Sequence, residues 1–185
     1  KDFRIPEFME FTSRMLRPEP EEGGEAGCMV VFCSFEQQMD LIREGQRHGY
    51  GRYLNLVFRK PSSPQVLKAN MRIVGNCEYA IVLYRDKLPK FRNRGQMVMN
   101  CMEWGRDDVT PKLHPTQKPI GLIRRLIEIF TDPGDVVIDP VAGSGVTLLA
   151  AESLCRPSYG FEIKREFVRG FADELVVSGV HVIRE

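Results

Sequence analysis

Residues 139–147, Asp-Pro-Val-Ala-Gly-Ser-Gly-Val-Thr, set an acid, a proline and two glycines between the apolar run Asp135-Val136-Val137-Ile138 and the helical stretch Leu148-Leu149-Ala150-Ala151. A strand, a glycine turn and a helix in that order form a cradle for a nucleotide-like cofactor. Glycine lets backbone approach a ligand closely, and the amides that open a helix favour a carboxylate or phosphate. The dinucleotide fingerprint needs a third glycine where this chain has Leu148, and a phosphate-binding P-loop needs Gly-Lys where it has Gly145-Val146. NAD, FAD and P-loop nucleotides are therefore disfavoured. Glu162, seventeen residues beyond Gly145, lies in a second apolar run, Tyr159-Gly160-Phe161-Glu162-Ile163. An acid there suits the ribose hydroxyls in a strand-turn-helix-strand unit.

Upstream stands His114-Pro115-Thr116-Gln117-Lys118-Pro119, followed by an amphipathic helix from Ile120 to Phe130 and by Pro133-Gly134-Asp135 leading into the strand. In this order the motifs resemble the carboxy-terminal half of the β-class amino-methyltransferases of DNA, closely over residues 112–175 and more loosely over 1–100. The resemblance implies an α/β fold: a Rossmann-like methyltransferase sheet with helices on both faces, an antiparallel edge pair and a circularly permuted motif order. It implies S-adenosylmethionine as cofactor and double-stranded DNA as partner, the exocyclic amine of adenine or cytosine being methylated. Carried over residue by residue, Asp139, Ala142, Gly143 and Gly145 would floor the methionine part of the cofactor, and Glu162 would accept from its ribose. Thr116 and Lys118 would reach its carboxylate end, where a hydroxyl and a cation suit an anion. The family usually has an aromatic where Val141 stands, a departure that implies less packing against the cofactor.

Methyl transfer to a base amine also requires the base to be rotated out of the duplex, stacked and held by acceptors on its amine. In the family one motif does this: Asp, Asn or Ser, then two prolines, then an aromatic. The chain contains no Pro-Pro dipeptide; its nearest imitations are Asn76-Cys77-Glu78-Tyr79 and Asp139-Pro140-Val141. No catalytic residue is assigned. The sequence opens Lys1-Asp2-Phe3-Arg4, where the β-class pattern would just have passed that tetrapeptide. The expectation is a longer parent protein with the catalytic strand upstream, this chain being inactive alone. A second copy or partner subunit would then complete the sheet, since a missing strand leaves an unpaired edge. The competing expectation is an inactive methyltransferase-like subunit that binds DNA or regulates an active one.

Composition sets outer bounds. With 185 residues, 43% hydrophobic and 28% charged, the chain suits one domain over 1–185. No apolar run approaches the roughly 20 residues that span a bilayer, and the first residues do not read as a signal peptide. Cys28, Cys33, Cys77, Cys101 and Cys155 include no Cys-x-x-Cys pair, which fits reduced thiols in an intracellular setting and gives no support to a zinc site. Net charge is only +1, so a nucleic-acid surface must come from local clustering. Arg85, Lys87, Lys90, Arg92 and Arg94, around Phe91 and Asn93, are such a cluster. Lys87, Lys90, Arg92 and Arg94 could track a phosphate backbone within a target-recognition segment over 86–113, which Trp104 and Arg106 would extend. The same charges equally suit a solvated loop.

The elements that must position these groups follow from periodicity. A helix opening at Pro6 and ending near Arg17 carries Phe8, Phe11, Met15 and Leu16 on one face. The acidic, Pro- and Gly-rich stretch 18–27 reads as an exposed loop. Met29–Cys33 reads as a strand, and Glu36 to His48 as a helix whose faces are set by Met39, Ile42 and Gln46. Tyr53 to Arg59 and Tyr79 to Arg85 read as strands, the antiparallel edge pair if the resemblance holds, and Lys60 to Pro64 as a loop between them. Ile120, Ile123, Leu126, Ile127 and Phe130 make the next helix apolar toward the sheet, with Arg124, Arg125 and Glu128 opposite. Helices after the glycine turn (Leu148, Ala151, Leu154) and from about Glu166 (Phe167, Phe171, Leu175) complete the covering layers. Residues 180–183 are left unassigned.

Overall fold

The structure, a computed structural model, describes residues 4–62, 65–107, 117–164 and 167, which fall in two compact units, 1–104 and 105–185. The helix expected from Glu166, residues 180–183 and the run His114 to Thr116 lie outside the described residues, Phe167 apart.

The first unit opens with α1 (Ile5–Ser13), with Pro6 in its first turn. Its buried stripe is Met9 and Thr12, flanked by the partly buried Ile5, Phe8 and Leu16. Phe11, expected inward, is 46% exposed. The spacing Ile5, Phe8, Met9, Thr12 keeps to the i, i+3, i+4, i+7 face that packs, and Phe11 falls off that stripe. Strand β1 (Met29–Cys33) has the expected bounds, and α2 (Gln38–Arg47) is slightly shorter than expected. It buries Leu41, Ile42, Glu44 and Gly45, while Met39 and Gln46 face outward. Gly45 brings the helix onto the sheet: a Cβ there would lie 3.1 Å from Leu83 Cδ2.

Strands β2 (Arg52–Arg59) and β5 (Cys77–Tyr84) pair antiparallel over their whole length, as expected. The described sheet has the order β1-β5-β2-β6, where β6 is Cys101–Glu103. Thus β5 is interior and not at an edge. Its Ala80 to Leu83 are fully buried, and β1 pairs antiparallel along its other side. β6 pairs parallel with β2 inside the segment expected to recognise a target. Between β2 and β5 the chain builds β3 (Gln65–Lys68), a 3-10 turn (Ala69–Met71) and β4 (Ile73–Gly75), an antiparallel pair beyond the loop expected at Lys60 to Pro64.

In the second unit α3 (Ile120–Phe130) has the expected bounds, but it buries Leu122 and Ile129 as well as the expected Ile123, Leu126, Ile127 and Phe130. An apolar surface this wide needs more than one neighbour. Within the unit α3 packs chiefly on α4 (Val146–Ser153), which in turn lies on β7 (Val137–Asp139) and β8 (Ser158–Gly160). β7 and β8 pair parallel, the arrangement a strand-turn-helix-strand unit requires.

Arg156 ties this unit together. Its guanidinium donates to Thr131 Oγ1 at 3.1 Å, to Thr131 O at 3.2 Å and to Leu154 O, joining the end of α3 to the α4–β8 connection. Asp107 accepts the amide of Ile120 at 3.0 Å, placing a carboxylate at the positive end of α3.

Candidate functional site

The glycine turn emerges from β7 in a conformation that its residue types explain. Asp139 Oδ1 accepts the amide of Val141 at 3.1 Å, a side-chain turn that starts the bend. Gly143 and Gly145 lie at φ +54° and +73°, the left-handed region where a side chain is strained. Gly145 is the N-cap of α4, and the amides of Leu148 and Leu149 both turn back to its carbonyl, at 2.9 and 3.1 Å. The amides of Val146 and Thr147 come before these first helical bonds, at the end of the helix that favours an anion.

The second strand holds the turn in place. Phe161 N donates to Asp139 O and Ala142 N donates to Phe161 O, both at 2.9 Å. Beyond them Glu162 divides its carboxylate: Oε2 accepts Gly143 N at 2.9 Å and Oε1 accepts Lys164 N at 2.7 Å. Each oxygen keeps a lone pair for a further donor. Among the described residues, a Cβ built on Gly143 would meet nothing nearer than Val141 O at 3.8 Å, so they leave space beside the turn.

Gly160 explains how the unit dispenses with the third fingerprint glycine. A Cβ at Gly160 would lie 2.8 Å from Leu148 Cδ1 and 3.0 Å from Ala142 Cβ. Close helix–strand packing is therefore secured by a glycine on β8, and Leu148 is free to be large. The structure thus brings Asp139, Ala142, Gly143, Gly145 and Glu162 into one turn. Lys118 is half-buried beside the buried Pro119 at the start of α3, and Thr116 is outside the described residues.

A family model for DNA methylases of the N6/N4 methyltransferase type matches residues 25–173. The chain belongs to that family. Among relatives, it is 45% identical over 56 residues to the type II methyltransferase M.BglII of Bacillus subtilis, a match covering 30% of this chain and 16% of that protein. It is 35% identical over 95 residues to the DNA adenine methyltransferase YhdJ of Escherichia coli K12, covering 49% of this chain and 32% of that one. The chain therefore aligns with under a third of each of these two relatives. Among solved structures, the M1.HpyAVI–SAM complex superposes with a TM-score of 0.74 at 24% identity, covering 91% of this chain and 82% of that one. The DNA methylase fold, a Rossmann-like α/β architecture, is thereby established.

Within this family member, the basic cluster is arranged differently from a free cationic strip. Arg92 forms a two-pronged pair with Glu25, at 2.8 and 2.6 Å. Lys87 Nζ donates to Pro20 O, and to Glu21 O at 3.2 Å, while its amide donates to Glu19 Oε1 at 2.9 Å. A bridge between Ala26 and Pro89 completes the junction. The acidic stretch 18–27 is exposed at Glu21 to Glu25, as expected, but it is pinned at several points to the basic one. Lys90 contributes its amide to Ala26 O at 3.4 Å, and Arg94 is exposed on a left-handed backbone at φ +54°. Trp104 packs edge-on against Phe58 with Lys60 5.0 Å from its ring centre.

Arg85 has an internal role that charge counting missed. It stacks 4.6 Å from the ring centre of the buried Tyr50, donates to its hydroxyl at 3.1 Å and reaches Arg17 O at 3.2 Å. Of the two imitations of the catalytic motif, Asp139 is committed to the turn, and Asn76 lies exposed with its carbonyl accepting Lys60 N at 2.7 Å. Among the described residues no helix is long and apolar enough to cross a membrane.

Proposed function

We propose that this chain carries the S-adenosylmethionine site of a DNA methylase acting on the exocyclic amine of adenine or cytosine in double-stranded DNA. The observation that carries the reading is the clamp of Glu162 on Gly143, which fixes an acid beside an open, left-handed glycine turn. The donor set fits the cofactor: Glu162 keeps acceptors for the ribose hydroxyls, and Gly143, without a side chain, leaves room for the methionine chain. Ala142 and Asp139 form its floor, and Lys118 with Thr116 take the carboxylate end. When bound, S-adenosylmethionine supplies a methyl group activated by the sulfonium beside it.

What the chain's residues do is bind and orient. The acceptors for the base amine are not assigned to any residue of this chain, and the segment 86–113, with Lys87, Lys90, Arg92 and Arg94, is read as part of the DNA surface. We further read residues 1–185 as one methyltransferase domain, working in the compartment that holds DNA. A second copy or a partner subunit could complete its sheet. The names of similar proteins support the reading, since YhdJ is a DNA adenine methyltransferase and M.BglII a type II methyltransferase.

The test is methyl transfer from labelled S-adenosylmethionine to duplex DNA by the intact protein, with the product base identified after digestion. Methylated adenine or cytosine, together with calorimetric binding of the cofactor, is the expected result. Absence of cofactor binding overturns the assignment. Duplex binding without incorporation favours the inactive-subunit reading instead.

A further inference from the structure

The β3–β4 hairpin gathers five exposed apolar side chains on one short projection of the first unit, and the cofactor turn uses none of them. Val66, Leu67, Met71, Ile73 and Val74 are between 43% and 65% exposed. Exposed apolar side chains gathered on one short projection mark a contact surface. Leu67 is seated rather than splayed, because Gly75 leaves room for it: a Cβ there would lie 3.0 Å from Leu67 Cδ2. Val66 and Val74 face each other across the ladder.

Charge identifies the partner. From Gly45 to Cys77 the sequence holds no Asp or Glu and six cations: Arg47, Arg52, Arg59, Lys60, Lys68 and Arg72. Arg59 and Lys60 are paired at the base with Glu103 and Glu78. Lys68 and Arg72, out on the hairpin, form no ion pair among the described residues. Arg72 occupies a left-handed position, φ +54°, at the end of the 3-10 turn, where glycine would be at ease. The tip thus places a long cation at a strained backbone site.

The base is held firmly enough to orient what it carries. Lys60 N donates to Asn76 O at 2.7 Å, one step beyond the last β2–β5 pair, Arg59 with Cys77. Lys60 Nζ bonds Glu78 and lies over Trp104, which packs on the fully buried Phe58.

We propose that this hairpin is a DNA-contacting arm, with Lys68 and Arg72 on phosphates and the apolar side chains entering a groove of the duplex. A cationic arm tipped with apolar wedges is chemistry suited to a polyanion with stackable bases. The inference rests on the DNA methylase reading above, and its test separates the two.

Duplex affinity of the intact protein is measured as a function of salt for wild type, the double variant Lys68→Gln, Arg72→Gln, and the variant Leu67→Gln, Met71→Gln. Each phosphate contact adds about 0.9 to the slope of log K against log salt, so the cation variant should flatten that slope by about 1.8. The apolar variant should weaken binding severalfold at an unchanged slope. Cofactor affinity, unchanged in both, reports that the fold is intact. Wild-type affinity and slope in both variants overturn the arm. So does a loss of self-association in sedimentation without loss of DNA binding, which assigns the hairpin to a second copy of the chain. If wild type itself has no affinity for duplex DNA, it is the underlying DNA reading that fails.

Discussion

Gly143 and Glu162, nineteen residues apart, are joined by a 2.9 Å hydrogen bond from the glycine amide to the carboxylate. The acid that would receive the ribose is therefore also a strut of the turn, and loss of Glu162 has two measurable consequences. Glu162→Ala should weaken S-adenosylmethionine binding by about 1–3 kcal/mol in calorimetry, the size of charge-assisted hydrogen bonds to hydroxyls. It should also lower thermal stability without ligand, because Gly143 N and Lys164 N both lose their acceptor. Glu162→Gln keeps one carbonyl acceptor and should fall between wild type and alanine on both readings. Unchanged cofactor affinity in the alanine variant would remove Glu162 from the site.

Gly143 separates binding from folding more cleanly. Its φ of +54° makes Gly143→Ala cost about 1–2 kcal/mol of stability, while among the described residues the added methyl meets nothing closer than Val141 O at 3.8 Å. The methyl instead occupies the space read as the cofactor's. Affinity for S-adenosylmethionine should then fall by more than the stability loss accounts for, as titration of the folded variant would report.

Gly160→Ala tests the packing account. The new Cβ would be 2.8 Å from Leu148 Cδ1, an overlap costing about 1–3 kcal/mol in urea unfolding. Truncating Leu148 to alanine on its own costs about 2–5 kcal/mol, since the side chain is buried. The double variant should lose clearly less than the sum, because the smaller residue removes the clash. Additive losses would show that Leu148 and Gly160 do not meet.

How far these features are legible in sequence depends on how local their cause is. β1 and α3 were readable to the residue, because an apolar run or a 3.6-residue stripe announces both the element and its ends. The turn at Asp139–Thr147 was readable because glycine at a left-handed position is a backbone requirement. The β3–β4 hairpin was not foreseen: its two short strands flank Ala69-Asn70-Met71-Arg72, which carries none of the Gly signals of a tight turn. β6 was missed because three residues hold too little pattern, and it is fixed by pairing with the distant β2. Arg85 and Arg92 entered the basic cluster by their charge alone. Their partners, Tyr50 and Glu25, are far away in sequence and no spacing rule connects them.

The two arginines should respond oppositely. Arg85→Gln removes a stacked cation and bonds to Tyr50 and Arg17, and should destabilise folding by about 1–3 kcal/mol while leaving the salt dependence of DNA binding unaltered. Arg92 is half-exposed on Glu25. If it belongs to the DNA surface, Glu25→Gln releases it from a competing carboxylate and should tighten duplex binding severalfold at low salt. Filter binding at two salt concentrations distinguishes this from a purely structural pair, for which Glu25→Gln changes stability by under about 1 kcal/mol and affinity not at all.

The partly buried thiols of Cys28 and Cys33 give a pH prediction with a definite sign. Burial pushes the Cys28 thiol up to about 12 and Cys33 up to about 11, from an ordinary value of 9.0. The folded state thus holds these protons more tightly than the unfolded chain does. The stabilisation is fully present below the unfolded value and is lost as pH rises through 9 toward the folded values. Urea midpoints should therefore fall between pH 8 and pH 10.5 by more in wild type than in a Cys28→Ala, Cys33→Ala double variant, whose other alkaline titrations are unchanged. The exposed Cys101 and Cys155 should meanwhile react first with a thiol reagent in the folded protein, with the partly shielded Cys28 and Cys33 following more slowly. Equal midpoint shifts in the two proteins would show that these thiols ionise alike in both states.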